Sequence, residues 1–180
     1  MINFADSTNP AAIPSQFTHV AAYHDGLYQW PTAQIERFPA HFEIGVLPGM
    51  PGQARFCRAL DVERFDATPA DFPPFVRERR QLGHEDATCY TSILGADGYG
   101  ILPVAAKLTE AGILLETVRL WVAWWWGRPF PPTAAEVLAE IRALTGLRLP
   151  VGTLWACQWQ NGTHYDTSVL YGRDDFTRTT

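Results

Sequence analysis

Apolar and polar positions alternate along the chain in short blocks, and turns rich in Gly, Pro, Asp and Asn separate them. Eight blocks have the length and the aromatic or β-branched content that is typical of strands. The predicted strands cover 2–5, 19–23, 41–47, 58–63, 87–91, 118–123, 153–158 and 164–170. Stretches with helical patterning and end signals predict helices over 31–38, 75–82, 101–111 and 133–144.

Strands and helices that alternate in this way predict an α/β fold with a mostly parallel sheet. Eight strands favour a closed barrel, although the chain of 180 residues is shorter than the usual ~200–250 for that fold. No helix is predicted between strands three and four, or between strands seven and eight, which the Asn161-Gly162 turn joins. We therefore predict a trimmed (β/α)8-type barrel with some helices missing, in one domain over 1–180. A doubly wound open sheet is the alternative, but no glycine-rich phosphate loop follows the first strand.

Acidic residues cluster at the predicted strand ends. Asp61 and Glu63 flank a valine at the end of the fourth strand, so strand alternation points both side chains the same way. Asp6 ends the first strand and Asp166 lies in the eighth, its neighbour in a closed barrel. We expect these four carboxyl groups to lie within roughly 10 Å of one another at the barrel mouth, where barrel enzymes keep their catalytic groups. Mutual repulsion would raise at least one pKa, as a general acid requires, whereas the simpler interpretation is a solvated strand end.

Aromatic residues are more numerous than a core of this size needs, with seven Trp, six Tyr and ten Phe. Several fall near the same predicted rim: Tyr23, Tyr90, Trp121, Trp124, Trp155 and Trp159. Flat aromatic faces match the flat C–H faces of sugar rings and so favour a carbohydrate ligand. For Trp121 and Trp155 core packing is an equally open interpretation, whereas the three consecutive rings at 124–126 cannot all face one interior.

Four short segments carry a family resemblance that covers most of the chain. They are Leu60-Asp61-Val62-Glu63, Cys89-Tyr90-Thr91-Ser92, Leu120-Trp121-Val122-Ala123, and Gln158-Trp159 followed by Tyr165-Asp166-Thr167-Ser168-Val169-Leu170. With these segments the chain resembles glycoside hydrolase family 25, the lysozymes (muramidases) common among phage endolysins. It is still more similar to the short actinobacterial and phage glycoside-hydrolase-like proteins that begin with an Asp-Ser-Thr-Asn segment, as Asp6-Ser7-Thr8-Asn9 does here.

The resemblance implies a glycosidase that cleaves peptidoglycan between N-acetylmuramic acid and N-acetylglucosamine. Glu63 is then the general acid, and Asp61 either attacks the sugar or steadies the substrate's own acetamido group as the nucleophile. Asp6 and Asp166 hold the sugar ring and tune the charges. Gln158 joins Tyr23, Tyr90, Trp121, Trp124 and Trp159 as an expected substrate contact. No cofactor and no metal are expected.

A second function stays open, because the Trp-Gln pair that this family carries soon after its first Asp is absent here. In that case the barrel is a phage virion or tail protein with little or no catalytic activity. It has a structural role or binds a glycan. The expected partner is peptidoglycan or a related glycan in the first case, and other virion proteins in the second.

Charge and residue patterns exclude several other classes. The net charge is −5 and no run of Lys or Arg occurs, which argues against a nucleic-acid partner. The longest apolar run, 120–126, is too short to span a bilayer. The first residues lack the pattern of a signal peptide, so we expect a cytoplasmic protein, or one of the host cytoplasm or virion if a phage encodes it. The three cysteines have no metal-ligand spacing and are expected to be buried free thiols.

Overall fold

A computed structural model of the protein describes residues 2–50, 52–125, 127–174 and 176–178. Within these residues eight strands form a closed barrel: β1 (Ile2–Asp6), β2 (His19–Tyr23), β3 (Ala40–Gly45), β4 (Cys57–Asp61), β5 (Thr88–Ser92), β6 (Arg119–Ala123), β7 (Leu154–Asn161) and β8 (Asp166–Leu170). The described α-helices are α1 (Thr32–Ile35), α2 (Gln53–Phe56), α3 (Phe72–Gln81), α4 (Ile101–Glu110) and α5 (Ala134–Thr145). The 3-10 turns are Pro10–Ala12, Leu115–Thr117 and Val151–Thr153, and a short strand β9 (Thr177–Arg178) follows β8.

The strand order around the barrel follows the order along the chain. Each strand from β1 to β6 is parallel to the next, whereas β8 is antiparallel to both β7 and β1. This reversal arises because β7 and β8 are joined directly as a hairpin, which needs no crossover helix. The predicted α/β class is confirmed as a closed, mixed eight-stranded barrel with helices.

Several predicted boundaries are corrected. The helix predicted over 31–38 is the single turn α1, and Pro39 prevents a longer helix from including Phe38, because a proline disfavours the helical conformation at the residue before it. A one-turn helix, α2, lies between β3 and β4, where none was predicted. β4 ends at Asp61, so Glu63 does not share its strand and lies in the turn that follows.

The barrel interior is filled by aromatic rings. Phe4 lies at the centre, with its ring centroid 5.7 Å from that of Phe42, 5.1 Å from that of Trp121 and 5.9 Å from that of Trp155. Such tilted and edge-on pairs each contribute about 0.5–1.5 kcal/mol beyond the area they bury. Tyr90 packs on Trp121 at 4.5 Å and forms the upper layer of this interior. The core interpretation of Trp121 and Trp155 is therefore the one the structure supports.

A second apolar layer separates the barrel from α3, α4 and α5. The outward side chains of β4 to β7 pack there against one face of each helix. Cys57, Cys89 and Cys157 lie buried in this layer as free thiols, as predicted. The longest described helix, α5, has 12 residues, and none of the helices in the described part of the chain is long and apolar enough to cross a membrane.

Phe176 closes the amino-terminal end of the barrel. It precedes β9, which pairs with the first two residues of β3. Its ring centroid lies 5.5 Å from that of Phe4 and 5.0 Å from that of Phe42, and the side chain is buried. The carboxyl-terminal segment thus completes the interior packing.

This packing predicts that Phe176→Ala lowers the free energy of unfolding by about 3–5 kcal/mol, because the ring leaves a cavity between other aromatic rings. Phe176→Leu keeps most of the volume and should lose much less. Denaturant unfolding of the two variants and the wild type measures the difference. An Ala variant within about 1 kcal/mol of the wild type would show that the segment contributes little to the core.

Candidate functional site

The backbone brings four acidic residues to the carboxyl-terminal mouth of the barrel. Asp6, the last residue of β1, is paired in register with Asp166, the first residue of β8. Asp61 is the last residue of β4, and Glu63 follows two positions later. Because β8 is reversed, its first residue lies at the same end as the last residues of the other strands. The structure therefore brings together the four acids that the sequence singled out.

Ser7 anchors the segment that carries Asp6. Its hydroxyl donates to the carbonyl oxygen of His164 at 2.6 Å, and its own carbonyl oxygen accepts from the indole nitrogen of Trp30 at 2.9 Å. Asn9 accepts from the backbone N–H of Ala11 and begins the first 3-10 turn. These bonds tie the end of β1 to the loop between β7 and β8, and so fix Asp6 beside Asp166.

Asp6 and Asp61 are the deepest of the four acids, with only 6% and 3% of their surfaces exposed. Atom Oδ2 of Asp6 and atom Oδ1 of Asp61 are buried without a hydrogen-bond partner among the described residues. Burial, reinforced by the neighbouring carboxyl groups, raises the pKa of both well above its ordinary value. Both side chains therefore retain a proton to higher pH than a surface aspartate does.

Glu63 combines a raised pKa with access to a cavity. Burial, then the charges of Asp66 and Asp166, raise the pKa of Glu63 to about 7. A carboxyl group with this pKa still carries a proton near neutral pH, which is the condition for general acid catalysis. The side chain also lines a cavity of about 570 Å³, a size typical of ligand sites.

Asp66 is a fifth acid of the site and was not among the site residues predicted from the sequence. The chain turns back on itself here: the N–H of Asp66 donates to the carbonyl oxygen of Glu63 at 3.1 Å, and that of Ala67 donates to Asp61 at 3.1 Å. The turn returns Asp66 to the other acids, where its charge raises the pKa of both Glu63 and Asp61. Its position three residues after Glu63, the spacing of a β-turn, is the signal that could have identified it.

Phe65 makes this turn conformationally costly. Its φ is 80°, in the left-handed region where a residue with a side chain is less stable by about 1–2 kcal/mol. β-Turns that need a positive φ at this position usually place Gly or Asn there. The fold thus accepts local strain in the segment that carries Glu63 and Asp66.

A hydrogen-bonded pair lines the opposite wall of the site. The Tyr90 hydroxyl donates to the side-chain carbonyl of Gln158, and both side chains are buried. Burial raises the pKa of Asp166, and hydrogen bonds from the Gly162 N–H and the Gln158 side chain oppose that rise. Tyr90 therefore orients Gln158, and Gln158 in turn helps to keep Asp166 charged.

The predicted aromatic contacts divide into two groups. Tyr90, Trp124 and Gln158 line the cavity with Glu63, and Tyr23 lines a smaller adjoining one with Asp6 and Asp166. Trp121 and Trp159 do not line the cavity, which corrects the expectation that they contact a substrate there.

The positions of these two tryptophans follow from the strands that carry them. The Trp121 side chain points into the barrel beneath Tyr90, and its indole nitrogen donates to Ser168 at 2.9 Å. In β7, Gln158 faces the mouth, so alternation sends Trp159 to the outer apolar layer. Trp125 lines the cavity with 68% of its surface exposed, whereas Trp126 lies outside the described residues.

Among the described residues, no three His, Cys, Asp or Glu side chains are grouped so that they could hold a metal ion. The chemistry that these residues provide is proton transfer and stabilisation of positive charge by carboxylates.

The raised pKa of Glu63 predicts a pH-dependent effect on stability. The folded protein binds the Glu63 proton more tightly than the unfolded chain does. The protonated side chain therefore contributes to the free energy of unfolding, fully below about pH 4.5, and this contribution is lost as the pH rises through about 7. The glutamine of Glu63→Gln stays neutral at every pH. As the pH rises from below about 4.5 to above about 7, the stability of this variant relative to the wild type should therefore increase by about 1–3 kcal/mol. Thermal unfolding at about pH 4 and pH 8 measures this, with exposed Glu116→Gln as the control. An equal effect of Glu63→Gln at both pH values would contradict the raised pKa.

The position of Asp66 predicts that Asp66→Asn lowers the pKa of Glu63, because the variant removes the carboxylate charge that raises this pKa most after burial. Side-chain carboxyl NMR of labelled protein should show Glu63 titrating near 7 in the wild type and at lower pH in the variant. Glu116→Gln should leave this titration unchanged. A Glu63 titration unaffected by Asp66→Asn would remove Asp66 from the site.

Comparison with known proteins supports the fold and is silent on chemistry. No protein family model matches the chain, and no curated protein matches it significantly. Among solved structures, an uncharacterized protein of B. stearothermophilus, known from a 1.07 Å crystal structure, aligns with a TM-score of 0.57 at 11% sequence identity. The alignment covers 95% of this chain and 96% of that one. The two proteins therefore share an architecture over nearly their whole length, and at this identity the likeness concerns the fold alone.

Proposed function

We propose that the protein is a glycoside hydrolase that acts on bacterial cell-wall peptidoglycan, with Glu63 as its general acid. The observation that carries the proposal is a carboxyl group with a pKa of about 7 on the wall of an aromatic-lined cavity, next to further carboxyl groups. Glycosidases need this combination of one protonated acid and one or more carboxylates beside the scissile bond.

The proton of Glu63 passes to the glycosidic oxygen as its bond to the anomeric carbon breaks. Positive charge then develops on the sugar ring, and the charged form of Asp166, supported by Gly162 and Gln158, stabilises it. In the last step a water molecule adds to the anomeric carbon and gives its proton to the Glu63 carboxylate, which restores the acid. Asp61 has two open roles, attack on the anomeric carbon or support of the substrate's acetamido group. Both roles need the charged carboxylate within reach of the sugar, so the burial and the raised pKa of Asp61 reduce the fraction available for either one.

The aromatic side chains at the mouth fit a carbohydrate ligand. Tyr90 and Trp124 are partly or largely covered by protein, whereas Trp125 presents most of its ring to solvent above the cavity. Rings of this kind stack on the C–H faces of sugars. They would hold a glycan strand across Glu63.

We also infer that the barrel is a trimmed derivative of the (β/α)8 fold. The strand order follows the chain, β1 to β7 are parallel, and the acids lie at the carboxyl-terminal mouth, where that fold carries its catalytic residues. The single-turn helices α1 and α2 and the reversed strand β8 are the points at which the chain departs from the regular pattern.

A virion protein that is structural, or that binds a glycan without cutting it, is the second candidate. The exposed rings of Trp125 and Phe65 beside the cavity favour it, since exposed aromatic side chains serve adhesion as well as catalysis. The partner would then be a wall glycan or another virion protein.

The two candidates predict different results on purified bacterial cell walls. If Glu63 is the general acid, the wild type releases reducing sugars, and Glu63→Gln lowers the rate by about 10²–10⁴-fold while Glu116→Gln has no effect. The wild-type rate should fall as the pH rises above about 7, because Glu63 then loses its proton. A folded wild type that binds walls but releases no sugar would support the second candidate.

A further inference from the structure

A further cavity adjoins the larger of the two already described. It has a volume of about 240 Å³, and we call it the outer cavity. Its lining consists of Glu63, Arg64, Phe65, Ser92, Gly95, Ala96 and Tyr99. Four of these residues, Glu63, Ser92, Gly95 and Ala96, also line the larger cavity. The two spaces therefore meet at Glu63.

Phe65 is the unusual residue of the outer cavity. Its backbone is held in the left-handed region by the turn between Glu63 and Asp66, although glycine would adopt this conformation without strain. Its ring is 88% exposed, so burial does not offset the strain. The Arg64 guanidinium lies 4.9 Å from the ring centroid, and this exposed contact is weak. Neither the fold nor its stability explains a phenylalanine here.

The surroundings of Phe65 suit a polar ring with flat apolar faces. Arg64 also forms an exposed ion pair, at 3.5 Å, with the carboxylate of Asp97, which lies on the loop between β5 and α4 and outside the cavity lining. Tyr99 supplies a second aromatic wall. An exposed ion pair at the rim beside two aromatic rings matches a polar sugar unit better than a fully apolar ligand.

We propose that the outer cavity is a second sugar-binding site and that Phe65 is its stacking platform. A glycan strand then passes Glu63, with one part in the larger cavity beside Trp124 and Trp125 and the next unit against Phe65. This inference rests on the proposed function, because it assigns the same glycan to a further part of the same cleft. The strain at Phe65 is retained because it holds the ring where the strand leaves the acid.

The experiment compares Phe65→Gly, which removes the ring and the strain together, with Phe65→Tyr, which keeps a ring. Both are made in the Glu63→Gln background so that binding is measured without cleavage. The probes are soluble peptidoglycan glycan fragments of two and of six sugars, and the readout is calorimetric affinity. Phe56→Ala, which removes a half-exposed ring from a different cavity, is the matched control.

Phe65→Gly should weaken binding of the six-sugar fragment about 3- to 10-fold and reduce the gain in affinity with fragment length, while Phe65→Tyr and Phe56→Ala stay within about twofold. The melting temperature of the Phe65→Gly variant should stay equal or rise by about 2–4 °C, because glycine relieves the backbone strain. A merely structural role for the ring would instead lower the melting temperature.

Two results would overturn the inference while leaving the proposed function in place. In the first, Phe65→Gly binds the six-sugar fragment as tightly as the protein with native Phe65 does, while the wild-type protein hydrolyses cell walls. The other is lost binding to intact walls with unchanged affinity for purified glycan, which would assign Phe65 to a protein partner. If neither the wild type nor Glu63→Gln binds any glycan fragment, the proposed function fails, and the inference fails with it.

Discussion

The antiparallel pairing of β8 with β1 is the constraint on which the candidate site depends. It closes the barrel, and its register sets Asp166 directly opposite Asp6. Like charges at directly opposed positions destabilise a sheet, so this arrangement opposes the fold that creates it. Hydrogen bonds from Gly162 and Gln158 to Asp166, together with the raised pKa of Asp6, reduce the repulsion. One of the two acids therefore tends to stay neutral while the other is charged.

The rest of the barrel stabilises a mouth that is itself unfavourable. Two buried carboxyl oxygens, on Asp6 and Asp61, have no hydrogen-bond partner among the described residues, and Phe65 adds backbone strain. Beneath them, interlocking aromatic rings from Phe4 to Phe176 fill the interior with little polar surface. Local departures from stable packing that are gathered at one end of an otherwise regular fold are typical of functional sites.

Glu63 differs from the other acids because it lies in a turn and not in a strand. The strand residues Asp6 and Asp61 are held deep in the barrel, whereas the turn carries Glu63 to the junction of two cavities. The same turn returns Asp66 to within electrostatic reach of Glu63. A single tight reversal of the chain thus gives Glu63 both its access to ligand and part of its raised pKa.

The sequence alone determined the strands, the direct connection of strands seven and eight, and the acids at the strand ends, because these depend on local periodicity and turn chemistry. The predicted turn at Asn161-Gly162 is displaced to residues 162–165, since Asn161 still pairs with Asp166 as the last residue of β7. The sequence also indicated that Asp6 and Asp166 would be neighbours, since strands one and eight must meet in a closed barrel. It did not determine which face of the barrel wall Trp121 and Trp159 occupy, because one residue of register exchanges the two faces. Asp66 joined the site, and Phe65 took up its strained position, only through a turn that the residue types do not favour. Those positions were decided by tertiary structure, since packing around the barrel mouth can impose a backbone conformation that local preference opposes.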